Sequence, residues 1–166
     1  MPKNCAIVIE NLKKIIFSKD FLRRHRKAEK FFTREVILTF PVLIIFLMNL
    51  LKSSLQRELN QFFRVLKKRL LVPQVVVKSA FTKARKKFSF TAFIELNDKL
   101  VEIVREIFGL KNWHGLRLVA IDGSTIKVPD SKEIREHFGA QQGSSEQDFP
   151  MGRISESFDV LNQITL

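Results

Sequence analysis

The sequence predicts a mainly α-helical region followed by the start of a β-sheet, and three observations lead to that division. Apolar residues recur at helical spacing through most of residues 1–110. After Gly109 the pattern changes to short β-prone runs, of which Leu116 to Ile121 is the clearest. The charge changes at the same point: residues 1–110 hold 23 Lys and Arg against 9 Asp and Glu, whereas residues 111–166 hold 6 against 8. We therefore expect two regions, 1–110 and 111–166.

Composition limits the class of protein. A hydrophobic content of 45% with 28% charged residues is typical of a globular chain. The net charge of +12, concentrated in the first region, favours a polyanionic partner, with nucleic acid first and an anionic membrane surface as the alternative. Cys5 is the only cysteine, which excludes an intramolecular disulfide. The first residues do not resemble a signal peptide, so we expect an interior compartment.

Helical spacing begins near the start of the chain. Apolar residues recur at helical period over residues 4–17, and Ser18 interrupts the pattern. Over residues 20–34, four basic side chains have the spacing of one helical face: Arg23, Lys27, Lys30 and Arg34. Such a face either contacts phosphates or is simply solvated, and both interpretations stay open here.

Residues 36–51 form the most apolar run. A membrane span needs about 20 apolar residues, and this run is shorter and contains Pro41. It is therefore predicted as a buried helix, with Thr39 near the N-cap and Pro41 in the first turn. No stable membrane insertion is expected.

A second set of basic residues follows a predicted helix, connector and helix. Ser53 with Gln56 forms a capping-box pattern that starts the first helix, the basic residues 67–69 would lie in its last turn, and residues 71–77 are the connector. Residues 78–88 are predicted as a short helix with a strongly basic outer surface: Lys78, Lys83, Arg85, Lys86 and Lys87. This outline is that of a helix-turn-helix DNA reader, and an ordinary helix with a basic outer face is the alternative.

Residues 90–108 are predicted as a long helix. Apolar residues such as Leu96 and Leu100 recur at three and four, and Gly109 provides a C-cap signal. The 16 Phe residues, with no Tyr, are interpreted as core residues and not as a platform for stacking bases.

The second region centres on Asp122. Asp122-Gly123 separates two β-prone runs, and Asp-Gly in that setting is a strong hairpin signal. The pattern therefore predicts an antiparallel hairpin of residues 116–121 and 125–128. Further on, Asp130 with Glu133 predicts a capped helix that ends near residue 138. Residues 139–150 are predicted as a loop, and residues 153–166 are again β-prone.

The other interpretation of Asp122 is chemical, as a metal ligand. Phosphodiester chemistry with two Mg²⁺ ions requires several carboxylate oxygens, so Asp122 alone is insufficient. Six other carboxylates are candidate companions, and no spacing singles one out: Asp130, Glu133, Glu136, Asp148, Glu156 and Asp159. Asp159 could be the best placed on a neighbouring strand, and it could equally face solvent or cap an edge of the sheet. The three histidines are scattered, without metal-ligand spacing.

Several segments together resemble a known family. The central ones are Leu116-Arg117-Leu118-Val119-Ala120-Ile121-Asp122-Gly123-Ser124-Thr125, Val128-Pro129-Asp130 and Phe138-Gly139. Others lie downstream at Phe149-Pro150, Arg153, Ser155 and Asp159-Val160-Leu161-Asn162, and upstream at Thr39-Phe40, 55–63 and 79–87. In order and spacing they resemble the insertion sequence 4 family of DDE transposases, over most of residues 31–166.

This resemblance implies a function and a fold. It implies a basic helical DNA-binding region over 1–110, followed over 111–166 by the first strands of an α/β RNase H-like catalytic core whose sheet is incomplete. Asp122 would be the first of three metal-binding carboxylates, with Mg²⁺ or Mn²⁺ as the cofactor of the complete enzyme. The other two carboxylates lie further downstream in that family, so we expect an N-terminal portion that is inactive alone.

The expected partner is DNA at the ends of a mobile element, in the bacterial cytoplasm near the nucleoid. A homodimer or a full-length transposase is the expected protein partner. The alternative is a truncated, non-catalytic DNA-binding or dimerising module, either an inhibitor or the product of a decayed gene.

Overall fold

The computed structural model describes residues 2–34, 36–49, 53–66, 76–142 and 148–166. These residues form seven helices and four strands, within two compact units, Met1–Ile103 and Val104–Leu166. The helices are α1 (Pro2–Ile16), α2 (Lys19–His25), α3 (Phe40–Met48), α4 (Leu55–Leu66), α5 (Lys78–Arg85), α6 (Thr91–Phe108) and α7 (Lys132–Phe138). The strands are β1 (Val119–Lys127), β2 (Ala140–Gln142), β3 (Asp148–Asp159) and β4 (Ile164–Thr165).

Helix α3 lies in the core of the first unit. Leu43, Ile44 and Phe46 are fully buried, as expected for a helix that is apolar on every side. Thr39 is its N-cap residue and Pro41 lies in its first turn, so the predicted buried helix is confirmed. In the part of the chain that the structure describes, no helix has the length and apolar character that a membrane span requires.

Phenylalanine rings link the helices of this unit. They meet edge to face around Phe40 and around Phe46, whose rings lie 5.8 Å from Phe21 and 5.1 Å from Phe81. Such T-shaped contacts are a favoured geometry for buried aromatic pairs. The interpretation of these Phe residues as core is confirmed.

The helix predicted over residues 20–34 is wrong in its second half. Helix α2 begins at its N-cap Ser18 and ends at His25, and residues 26–34 are a bridge followed by turns. The cause is a backbone pairing with residues 87–89: the Lys27 N–H donates to the Lys87 carbonyl (2.9 Å), and the Ser89 N–H donates to the His25 carbonyl (2.8 Å). The four cations of this segment therefore do not share one helical face.

The capping box predicted at Ser53 and Gln56 is also wrong. The Ser53 hydroxyl donates to the Glu58 carboxylate (2.7 Å). Gln56 instead holds the start of α5: its amide donates to the Val76 carbonyl (2.9 Å) and its oxygen accepts from the Lys78 N–H (3.0 Å). The predicted last turn at residues 67–69 and most of the predicted connector lie outside the described residues.

Helix α6 follows the prediction closely. It covers Thr91–Phe108, and Leu96 is buried in the core of the first unit. Gly109 has φ +69° and its N–H donates to the Arg105 carbonyl (3.0 Å). A glycine in this left-handed conformation is a common helix end, so the C-cap prediction is confirmed.

The second unit contains the sheet, and here the hairpin prediction is wrong. β1 continues through Asp122-Gly123 without a turn and pairs antiparallel with β3 along its whole length, from Val119 opposite Asp159 to Lys127 opposite Met151. The continuous ladder with β3 pairs the backbone N–H and C=O groups of both predicted strands. A hairpin with a two-residue turn would pair only a few of these groups, between the two short strands themselves.

The rest of the sheet forms around β3. β2 and β4 pair antiparallel with its two ends, so the loop predicted over residues 139–150 contains strand at both described ends. The predicted short helix is present as α7, but Ser131 caps it instead of Asp130: the Ser131 hydroxyl accepts from the Ile134 N–H. A Cβ at Gly152 would lie 3.6 Å from the Phe138 ring, so α7 packs closely on β3.

Candidate nucleic-acid interface and the Asp122 strand

Helix α5 and the turn after it expose every cation that the sequence suggested for DNA binding there. Phe81 and Ala84 anchor the helix in the core, 2% and 9% exposed. The cations surround that anchored side: Lys78, Lys83, Arg85, Lys86 and Lys87. Lys78 and Arg85 are seven positions apart, close to two helical turns, so they share one side of α5, whereas Lys86 and Lys87 lie in the turn after the helix.

The segment after α2 brings a second set of cations to the end of α5. The backbone bond between Lys27 and Lys87 joins two segments that are 60 positions apart in the sequence. Lys30 and Arg34 follow in the same segment, and both are exposed. Two of the basic stretches singled out in the sequence therefore meet at one place in the first unit.

A cleft lies at this meeting point, with a cavity volume of about 860 Å³. Its cations are Lys30, Arg34 and Lys87, which we call the basic rim. Its apolar lining includes Phe31, Val36, Ile37, Leu38, Val76 and Val77. The cleft thus offers a ligand both positive charge and apolar surface.

Six of the eight predicted DNA-binding residues are not among the residues that line the cleft: Arg23, Lys27, Lys78, Lys83, Arg85 and Lys86. Arg23 is exposed on α2, where its guanidinium is 3.5 Å from the Asp20 carboxylate. Arg85 is exposed on α5 and is not among the residues that line the cleft. Phosphate contact by either residue would use a surface other than the cleft.

Asp122 lies in the middle of β1 with its side chain exposed. Glu156 stands directly opposite on β3, and the Asp122 carboxylate accepts the N–H of Gly123 (2.8 Å). Like charges directly opposite in a sheet repel each other. Among the described residues no three His, Cys, Asp or Glu side chains are grouped as a metal would require. The described donors therefore do not fit a two-metal centre, and we derive no catalytic step from them.

Asp159, the companion favoured in the sequence, is engaged elsewhere. It is fully buried, and its carboxylate accepts from Arg117 Nε (2.6 Å) and from both the backbone and side-chain nitrogens of Asn162 (3.0 and 2.8 Å). The Arg117 guanidinium, followed by these Asn162 bonds, holds the pKa of Asp159 below its usual range against the opposing effect of burial. Asp159 organises the turn from β3 to β4, where its carboxylate is bonded to Arg117 and Asn162.

One polar cluster was missed in the sequence. His25 is 5% exposed; its Nε2 lies 2.7 Å from Glu95 Oε2 and its Nδ1 lies 3.0 Å from the Thr91 hydroxyl. Arg24 also donates to the Glu95 carboxylate, which lowers the pKa of Glu95, with the His25 bond a smaller contribution. The cluster ties α2 to α6. No local pattern could reveal it, because His25 and Glu95 are 70 positions apart.

Comparison with known proteins gives one partial similarity. No family model matches the chain, and no solved structure matches it. A stretch of 57 residues is 35% identical to a curated protein of Escherichia coli (strain K12) named "Putative transposase InsZ". The stretch covers 33% of this chain and 19% of that protein, so the match spans about a fifth of the relative's length. The chain is in this respect similar to a transposase-related protein.

Proposed function

We propose that this chain is a transposase-related protein whose first unit binds DNA through the basic rim and the neighbouring cations of α5. The observation that carries the proposal is the meeting of two basic stretches, 26–34 and 78–88, at one cleft. No ion pair in the described part of the chain involves Lys30, Arg34 or Lys87. Exposed cations without carboxylate partners are available to phosphates, and their binding releases counterions.

The transposase part of the proposal rests on the partial similarity and on the resemblance of residues 116–130 to the insertion sequence 4 family. In that proposal the DNA is the end of a mobile element, and Asp122 is the first metal-binding carboxylate of an RNase H-like core of the DDE type. Its exposed position on a central stretch of β1 leaves the side chain accessible to a divalent ion. The other ligands of the metal would have to come from residues other than the described neighbours of Asp122.

Salt dependence tests the DNA-binding part. We expect the affinity for duplex DNA, measured by fluorescence anisotropy, to fall linearly on a double-logarithmic plot as salt rises, with a slope of about −0.9 for each phosphate neutralised. Three rim cations alone would give a slope of roughly −2.7. Affinity that does not change with salt, or no measurable binding at low salt, would refute the proposal.

The second candidate function is a DNA-binding or dimerising module without catalysis. It is favoured by the surroundings of Asp122, since the opposite residue Glu156 and one backbone N–H are its described neighbours. A nicking assay with Mg²⁺ or Mn²⁺ separates the candidates. Nicking that is lost in Asp122→Ala supports catalysis, and salt-sensitive binding without nicking supports the module.

A further inference from the structure

We propose that the cleft of the first unit is a site for unpaired nucleotides, so that the chain prefers DNA with a single-stranded end to fully paired DNA. The inference rests on the proposed DNA binding and specifies the form of the DNA. It concerns the apolar residues of the cleft. The phosphates of a duplex would contact the basic rim and leave these apolar residues uncovered.

The lining of the cleft is largely apolar and exposed. Val36, Ile37 and Val77 are 52%, 53% and 44% exposed, although all three line the cleft. A paired duplex presents mainly phosphates and sugars, because its base faces are stacked inside. An unpaired nucleotide presents a phosphate and a bare base face together, which matches a basic rim around an apolar surface.

Phe31 places an aromatic ring at the cleft. Lys87 Nζ lies over one face of the Phe31 ring, 5.6 Å from its centroid, so an aromatic ring and a cation are in contact at the cleft. Aromatic rings beside cations are the recurrent arrangement in proteins that bind single strands. Phe31 is partly exposed and outside the core cluster, so the general interpretation of phenylalanines as core residues does not hold for it, as it does not for exposed rings such as Phe17 and Phe90.

The backbone at Phe32, directly after Phe31, has an uncommon conformation. Phe32 has φ +59°, a left-handed conformation that is uncommon for a bulky residue and is strained. Its ring packs 5.3 Å from Phe40, in contact with the core. Packing of Phe32 thus holds the turn in place, and the turn holds Phe31 beside Lys87. Strain retained in a segment that lines a cleft is consistent with a binding role.

The positive charge of the cleft favours an unpaired nucleotide over an apolar peptide as its ligand. Three cations, Lys30, Arg34 and Lys87, line the cleft, and they favour an anionic ligand. The flanking cations Lys27 and Lys83 extend the positive surface beyond the cleft, as a polyanionic strand requires. An acidic amphipathic peptide and an anionic lipid surface are the competing occupants.

The test compares three labelled DNAs: a short blunt duplex, the same duplex with an unpaired thymidine overhang, and the single strand of the overhang. We expect the overhang duplex to bind more tightly than the blunt one. Phe31→Ala and Ile37→Ser should weaken overhang and single-strand binding roughly five- to a hundredfold, the range for loss of one stacked base, and leave blunt-duplex binding within about twofold.

Matched controls are available in the same unit. Phe90→Ala and Ile94→Ser remove exposed residues outside the cleft, 72% and 53% exposed, and should change none of the three affinities. Thermal unfolding of each variant shows whether it is folded. If Phe31→Ala does not fold, Ile37→Ser still tests the inference. Ile37 is half exposed, so we expect its replacement to leave the fold intact.

Each other outcome overturns the inference. Equal binding of blunt and overhang duplexes, or equal weakening of both by the cleft variants, would leave DNA binding intact and refute the site for unpaired nucleotides. Tighter binding of anionic phospholipid vesicles, or of a poly-glutamate peptide with apolar residues, than of the single strand, with that binding weakened by Phe31→Ala and Ile37→Ser, would assign the cleft to those ligands. Absence of binding to all three DNAs would refute the proposed function as well.

Discussion

The Asp122-Gly123 pattern correctly indicates β-structure on both sides of these residues, but the turn that it predicts between them is absent. Asp-Gly between two β-prone runs is typical of a hairpin turn. Here both residues lie within a strand, opposite Glu156 and Ser155. The pattern could not reveal this, because the partner strand begins about 20 residues later and no local signal encodes that pairing. Asp122 remains a proposed metal ligand on the strength of the family resemblance.

Glu95 gives a prediction about pH at the residue scale. Its pKa is lowered in the folded chain from an ordinary value of 4.5, chiefly by the Arg24 bond. The stabilisation is therefore present above that ordinary value and is lost as the pH falls through the folded pKa. We expect the free energy of unfolding, from urea titrations followed by circular dichroism, to decrease below about pH 4.5.

The matching variants are Glu95→Gln and Glu95→Ala. Glu95→Gln should remove part of this acid dependence, because its amide has no charge to titrate. Glu95→Ala should cost about 1–3 kcal/mol at neutral pH, since it leaves the buried His25 ring nitrogen without its acceptor. An unchanged acid profile in Glu95→Gln would mean that other carboxylates control it.

At the scale of elements, helices were easier to predict than strands. The helix over residues 90–108 and the buried helix after Thr39 follow from spacing and caps within one segment. The pairing of β1 with β3 and the bridge between Arg26 and Phe88 depend on residues that are distant in sequence. The bridge between Arg26 and Phe88 also ends α2 at His25. It uses backbone N–H and C=O groups that a longer helix would have bonded internally.

An engineered cross-link tests the register of β1 on β3. Directly opposite residues of an antiparallel pair have Cα atoms about 4.5–5.5 Å apart, within reach of a disulfide. In a Cys5→Ser background, Asp122→Cys with Glu156→Cys should form a disulfide on oxidation, detected by a mobility shift that reductant reverses. As a control, Asp122→Cys with Arg153→Cys should not cross-link, since Arg153 stands opposite Thr125. Efficient cross-linking of the control pair alone would contradict this register.

Helix α3 gives a second test at the element scale. Phe46→Ala should destabilise the chain by about 3–5 kcal/mol, because its ring is fully buried against Phe62 and Phe81. Ile45→Ala on the same helix should cost much less, since Ile45 is 36% exposed. Chemical unfolding followed by circular dichroism measures both. Equal losses in the two variants would contradict the buried side assigned to α3.

At the scale of the whole molecule, the two units differ in what they expose. The first unit has an aromatic core and a basic cleft. The second has few buried residues: Ile121 is 75% exposed on β1, and Ile126 and Ile154 are each 44% exposed. Exposed apolar strands at a sheet edge favour association with another chain. The sequence could predict the change of charge and of period between the regions, but not the cleft, which needs both 26–38 and 76–87 in place.

The most direct test of the account removes the basic rim. The triple variant Lys30→Gln, Arg34→Gln and Lys87→Gln should bind duplex DNA much more weakly than the wild type, with a salt slope shallower by roughly two to three. The matched control removes three cations outside the cleft, Lys13→Gln, Lys14→Gln and Lys19→Gln, and has the same net charge. We expect the control to stay close to the wild type in both affinity and slope. Equal losses in the two triple variants would show that binding follows net charge alone and would contradict a DNA interface at the cleft.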